Sequence, residues 1–375
     1  MTSAEIITIG TEILLGEIVD TNTRYLARSL RSLGVDLYRT ITIGDNTERI
    51  ASAIHNSMER ADIVITTGGL GPTVDDPTRD AVAKALGVET EFREDLWQQV
   101  VATIARYGRK PSENQKRQAY VPQGAIGIPN PVGTAPCFIF ETSRNAVISL
   151  PGVPNEMEYI LHESVIPYLQ KRFHLNEVIK VRVLHCAGLG EGMIDEKIAD
   201  LEMLSNPTVG LAAHTGVVDI RIAAKAKSES EANAMIDSIE AQVRERLGDT
   251  VFGVDEDKLE EVVLDMLAKR GLTITAIESG LGGLLARKIP FTVSYEDLSP
   301  AALMDKLRSA RAESSANIAL GVSVYVDERA AEMAMITTRG EKTHRITYGG
   351  PPRSLPRWAM YLALNWLRTT LQEMN

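Results

Sequence analysis

The sequence predicts an α/β protein: a mostly parallel, three-layer sheet followed by a small α+β unit and a truncated α/β unit. From residue 4 to about 173, short apolar runs alternate with segments of helical spacing, the pattern of parallel crossovers. That rhythm changes near Asn176 and again near Asp257. A length of 375 residues leaves room for two or three domains, each able to bury a core. Domains are expected at 1–173, 174–255 and 256–375.

Residues 5–9 are apolar enough for a first strand. The helix expected over 23–33 places Leu26, Leu30 and Leu33 on one face before Gly34 stops it. A second strand is expected at 35–43. The helix at 48–60 carries Ile50, Ile54 and Met58 in register, and 62–66 is apolar enough for a sheet centre. Helices at 78–86 and 95–107 follow a glycine loop. Residues 114–136 read as mostly irregular, and two strands precede a closing helix after Pro154.

The middle unit reads as strand 178–186, helix 192–201, strands near 209–212 and 217–226, and helix 229–247. The last unit opens with helix 259–270 and strand 273–277, passes a Gly-rich turn, and closes with helix 357–372. No repeat or low-complexity tract interrupts the chain.

Hydrophobic residues make up 44% and charged residues 24%, which fits a packed globular protein and excludes disordered or disulfide-scaffold classes. The net charge of -10 opposes nucleic acid as a partner. Cys137 and Cys186 are too few and too far apart for a zinc cluster and are expected to be reduced, buried thiols. The first ten residues lack a basic targeting segment, and no apolar run reaches the roughly 18 residues of a membrane span. A cytoplasmic protein is expected, with a small-molecule substrate and no membrane partner.

Chemistry is concentrated in three clusters. The strongest runs from Thr66 to Thr78, with Gly68, Gly69 and Gly71 ahead of Thr73, Asp75 and Asp76, between an apolar strand and a helix. Glycines let backbone amides approach phosphate oxygens. Two carboxylates would repel a bare phosphate, so the pair makes sense with a divalent cation between them. The simpler alternative is a tight turn with Asp76 or Thr78 as helix cap. Glu12, Asp20 and Asn22 form a second cluster where strand one meets its helix, and loops at strand C-termini share one crevice in such sheets. Asp20 or Asn22 as a plain N-cap is the alternative there. Asn130, Gly133 and Thr134, with Gly152 and Glu156, form a third set on Pro/Gly loops; alone it reads as turn chemistry. No histidine falls in these loops, which opposes a zinc centre or histidine triad. The loop at residues 188–192 sits among Glu191, Asp195, Glu196 and Asp200 and reads as a structural turn rather than a nucleic-acid grip.

With these residues in view, the chain resembles the CinA (competence/damage-inducible protein A) family, whose first domain has a MoaB/MogA-like fold. The matching stretches are Ile9-Gly10-Thr11-Glu12, Gly44-Asp45-Asn46, the loop from Gly68 to Asp76, residues 130–136 and residues 150–156. The middle unit is similar to the family's KH-like connecting domain. The resemblance implies metal-dependent hydrolysis of the pyrophosphate of ADP-ribose to AMP and ribose 5-phosphate, linked to pyridine-nucleotide recycling, by a homodimer. It implies Asp75 and Asp76 as holders of a divalent ion with a bound water as nucleophile, and residues 69–71 as phosphate-positioning amides. Glu12, Asp20 or Glu156 would help orient metal or water.

The third unit resembles the family's nicotinamide-nucleotide deamidase domain only in outline. A Glu-Ser-Cys-Thr-Gly-Gly loop is replaced by Glu278-Ser279-Gly280-Leu281-Gly282-Gly283, and a stretch with its lysine is missing. Ser279 without a nearby base is a weak nucleophile, so this unit is expected to be a degenerate, vestigial domain. Nicotinamide mononucleotide deamidation and non-catalytic binding of a nucleotide or pterin are the alternative functions.

Overall fold

Strands whose residues are buried one after another, rather than every second one, are covered on both faces. The first unit is built on such strands. In the computed structural model, which describes residues 2–106 and 108–374, β1 (Ser3–Ile9) is followed by α1 (Thr11–Leu14), α2 (Thr21–Ser32), β2 (Asp36–Ile43), α3 (Thr47–Arg60) and β3 (Ile63–Thr67). Then come α4 (Thr78–Leu86), β4 (Thr90–Phe92), α5 (Glu94–Arg106), β5 (Tyr120–Pro122), β6 (Ile126–Ile128), β7 (Cys137–Glu141), β8 (Ala146–Leu150), α6 (Pro154–Ile160) and α7 (Ile166–Phe173). Tyr107, the expected last residue of the fifth helix, and Met1 lie outside the described residues.

The six-stranded sheet has the order β2-β1-β3-β8-β7-β6. Its first four strands run parallel, and β7 and β6 add antiparallel edges. Every residue of β3 and β8 is buried. Leu26 and Leu30 of α2, and Ile50 and Ile54 of α3, are shut from solvent as their spacing predicts, each contributing about 1.5–3 kcal/mol by transfer from water. The stretch expected to be irregular holds a 3₁₀ turn (Glu113–Ala119) and the three-residue strands β5 and β6. Elements this short carry no readable period.

Compact packing divides the chain into one unit running to Lys180 and adding Lys225–Ala232, and a second made of Val181–Ala224 and the residues from Asn233 onward. The latter portion of the chain contains β9 (Val178–Cys186), α8 (Glu191–Glu202), β10 (Thr208–His214), β11 (Val217–Ala226), α9 (Glu229–Leu247) and β12 (Val251–Val254), with a β10-β11-β9-β12 sheet. It continues with α10 (Leu259–Lys269), β13 (Ile274–Ser279), β14 (Thr292–Tyr295), α11 (Pro300–Ser314), β15 (Ile318–Tyr325), β16 (Ala330–Thr337), β17 (Gly340–Thr347) and α12 (Leu355–Glu373). These strands form a β14-β13-β15-β16-β17 sheet. Both thiols are free and buried, as expected. Among the described residues no helix is long and apolar enough to cross a membrane.

Candidate functional site

Because β1 and β3 are parallel neighbours, their C-terminal ends deliver two loops to the same sheet edge. Gly68 leaves β3 at φ +104, and a Cβ there would lie 2.1 Å from the Ile9 carbonyl oxygen. Gly69 follows at φ +63, with Thr78 Oγ1 2.3 Å from where its Cβ would stand. Only glycine fits this close approach.

The loop then closes on itself. Thr78 Oγ1 donates to the Gly68 carbonyl at 2.8 Å, and the Thr73 amide and hydroxyl both donate to Asp76 Oδ2, at 2.8 and 2.6 Å. Asp76 therefore shapes its own loop; Pro77, with no side-chain cap, occupies the N-cap of α4. Among the described residues the amides of Gly69, Leu70 and Gly71 donate to no protein acceptor. Unused amide donors on a tight glycine turn are receptive to anions.

On the β1 side, Asp20 caps α2: its Oδ1 accepts from the Thr23 amide and its Oδ2 from the Thr23 hydroxyl. Asn22 is 7% exposed and ties α2 to the ends of β3 and β8, donating to Thr67 Oγ1 at 3.0 Å and to the Gly152 carbonyl at 2.9 Å. Its Oδ1 is buried without a partner. Asp45 holds the start of α1 by accepting from the Thr11 amide and hydroxyl.

A cavity of about 450 Å³ opens between these loops. Glu12, Asp20, Asn22, Gly68, Gly69, Thr73, Asp75, Asp76 and Gly152 line it, so the first two sequence clusters and Gly152 meet there. Gly71 lies across the loop, in a neighbouring cavity. Asn130, Gly133, Thr134 and Glu156 do not line the first cavity. Asn130 Nδ2 instead donates to Glu156 at 2.6 Å and to the Ala135 carbonyl, and the Glu156 carboxylate fills the space beside the Gly133 Cα. Burial raises the Glu156 pKa, and the hydrogen bond from Asn130 only partly offsets that. Asp45, which the sequence offers only within a family-matching stretch, and the apolar wall residues Ile13, Ile18 and Val19 lie outside the sequence clusters.

The charge of the wall is one-sided. Glu12, Asp20, Asp45, Asp75 and Asp76 contribute carboxylates, and no Lys, Arg or His lines the cavity. Among the described residues no group of three or more His, Cys, Asp or Glu side chains could hold a metal by itself. All-oxygen ligands with an incomplete protein shell fit a hard cation such as Mg²⁺, which is commonly bound by one or two carboxylates and completed by substrate phosphates.

In the second unit, Ser279 closes β13 and is 1% exposed. Its neighbour Glu278 is occupied, accepting from the amides of Leu285 and Ala286 and from Ser294 Oγ. Of the nearby lysines, Lys288 pairs with Glu260 and Lys306 lies over the Tyr295 ring at 5.9 Å.

Comparison with known proteins places the chain. Residues 5–171 match the family described as "Probable molybdopterin binding domain", and residues 181–253 match the "Damage-inducible protein CinA KH domain". A competence-damage inducible protein of Caldanaerobacter subterraneus subsp. tengcongensis is 45% identical over 285 residues, 76% of this chain and 68% of that protein. One from Thermoanaerobacter pseudethanolicus is 42% identical over the same shares. A solved structure of CinA from Thermoplasma acidophilum is 35% identical, with a TM-score of 0.41, covering 46% of this chain and 97% of that one. On the strength of the two relatives at 45% and 42% identity, with the two matched domains in agreement, the chain belongs to the CinA family of competence-damage inducible proteins.

Proposed function

We propose that the first unit hydrolyses the diphosphate bond of a nucleotide, with ADP-ribose as substrate and AMP and ribose 5-phosphate as products, in the presence of a divalent cation. One observation carries this. The unused Gly69 amide invites an anion, while five carboxylates and no basic side chain line the cavity. A cation between carboxylate and phosphate reconciles the two, since bare like charges would repel.

Asp75 is exposed and Asp76 partly so, and these two would hold the cation. When bound, it neutralises phosphate charge and makes water a better nucleophile. The chain's own residues do the rest. The Gly69 amide, on the wall of this cavity, positions a phosphate oxygen, in a loop already fixed by Thr78 and Thr73, so little reorganisation is needed at reaction. Asn22 Oδ1 accepts a hydrogen bond from a substrate hydroxyl, which satisfies a buried polar atom that has no partner in the fold. Ile13, Ile18 and Val19 add an apolar stretch of wall for a nucleobase. Glu12 and Asp20 stand where either could orient the attacking water.

The second unit contributes no deamidase chemistry in this account, because Ser279 is buried and the lysines flanking its loop are engaged elsewhere. Incubating the full chain with a panel of dinucleotides and divalent cations, then separating products, tests the proposal. Cation-dependent release of two phosphomonoesters is expected. Saturable nucleotide binding without turnover under any cation would replace it with a binding role.

A further inference from the structure

Across the glycine loop from the acidic cavity lies a second one of about 350 Å³, lined by Gly71, Thr73, Arg79, Arg117 and Tyr120 among others. Its electrostatics differ sharply from those of its neighbour. Arg79, in the first turn of α4, is 4% exposed, and its guanidinium donates to the carbonyls of Leu70 at 2.6 Å and Gly71 at 3.2 Å. Its Nε is buried with no partner. No carboxylate forms an ion pair with Arg79 or with the exposed Arg117 among the described residues.

A buried guanidinium held only by neutral carbonyls is a charge short of its counterion. Burial pushes the Arg79 pKa down to about 10 despite the fields of Cys137, Asp76 and Asp80. The two acids on this wall are poor substitutes. Asp76 Oδ2 is taken by Thr73, and Asp80 is exposed, where water screens it.

We propose that this cavity is a second anion site that takes a phosphate dianion, free or as the end group of a phosphomonoester, directly on Arg79 and Arg117 without a metal ion. Guanidinium forks match phosphate oxygens in pairs, and Arg79, on this wall, keeps a buried Nε that no protein acceptor satisfies. The Gly71 amide, on the same wall, has no protein acceptor either. Tyr120 adds a hydroxyl. The site goes beyond the proposed hydrolysis and does not depend on it, because its ligand needs no cation and no turnover.

Titration calorimetry of the full chain in EDTA, with inorganic phosphate in one arm and ribose 5-phosphate in another, tests this. Chelation silences the acidic cavity. Saturable binding is expected in at least one arm, and the tighter arm identifies whether the group arrives free or on a sugar. Arg117→Gln, an exposed change that leaves the core untouched, should weaken binding about tenfold or more, the usual cost of losing a charge-assisted hydrogen bond. Asp75→Asn should bind phosphate as the wild type does. No saturable binding in either arm, or equal affinity in Arg117→Gln, overturns the proposal. Phosphate binding intact in a protein that hydrolyses no dinucleotide would sink the hydrolase reading alone.

Discussion

The Gly68 Cα faces the carbonyl oxygen of Ile9 so closely that a Cβ on it would stand 2.1 Å away, which fixes the ends of β3 and β1 against each other. The two loops of the candidate site inherit their spacing from that contact.

Gly68→Ala should therefore damage both fold and site. Positive φ disfavours alanine, and the new methyl must push the Ile9 backbone aside, for a combined loss of about 2–4 kcal/mol. Urea unfolding measures it. A midpoint equal to that of the wild type would mean the two strand ends can separate freely.

Asn22→Ala removes the donor shared by Thr67 and Gly152 and the orphan acceptor on the cavity wall. A stability loss of about 1–3 kcal/mol is expected from the buried hydrogen bonds. Substrate KM should rise as well, because Oδ1 no longer meets a ligand hydroxyl. Unfolding curves and a substrate titration on the same preparation separate the effects; a pure stability loss with unchanged KM would remove Asn22 from the binding surface.

How much of this was legible in the residues differs by cluster. The buried strands β1 and β3 announce themselves, since a run such as Ile63-Val64-Ile65 suits only a sheet centre. Loops at their ends follow from topology, so Glu12, Asp20, Asn22 and the stretch from Gly68 to Asp76 were placed close to one another before any geometry. The loops of Asn130 and Glu156 were not separable in the same way. Proline and glycine mark a tight turn equally well whether it binds a ligand or braces a carboxylate, and here Glu156 packs on Gly133 and accepts from Asn130. Arg79 was missed because arginine in a first helical turn reads as solvent-facing. Its burial arises only when the glycine loop folds back over it. The strands β15 to β17 have no counterpart in the sequence reading, and β14, at the opposite edge of their sheet beside β13, is too short for a period.

His185 carries a pH signature. Its Nδ1 lies 2.7 Å from Asp219 Oδ1 and its Nε2 2.7 Å from the Asp255 carbonyl, two acceptors that both ring nitrogens can serve only when protonated. Burial lowers the His185 pKa, but the Asp219 hydrogen bond, the Asp255 carbonyl and the fields of Asp219 and Asp257 outweigh it, so the net shift is upward from 6.5. A raised value in the folded state means stability fully present below about pH 6.5 and lost as pH climbs through the folded pKa. The urea midpoint of wild type should exceed that of Asp219→Asn at about pH 6, and the gap should narrow by about pH 8.5. A constant gap would show that the pair does not titrate in this range.

Ammonia release from nicotinamide mononucleotide should be the same for wild type and Ser279→Ala. Ser279 is 1% exposed, and Lys288 and Lys306 are engaged with Glu260 and Tyr295. An amide hydrolase needs an activated nucleophile and a donor for the oxyanion. Activity present in wild type and abolished by this one change would make the second unit a working enzyme.

The central claim stands on Asp75, which lines the acidic cavity, is exposed, and has no hydrogen bond or ion pair in the described structure. Asp75→Ala should leave the unfolding midpoint within experimental error, because nothing in the fold leans on that carboxylate. Its rate of AMP and ribose 5-phosphate formation from ADP-ribose, measured against cation concentration, should fall about a hundredfold or more, the scale seen when a transition-state charge loses its partner. Wild-type turnover with unchanged cation dependence in Asp75→Ala would contradict the account.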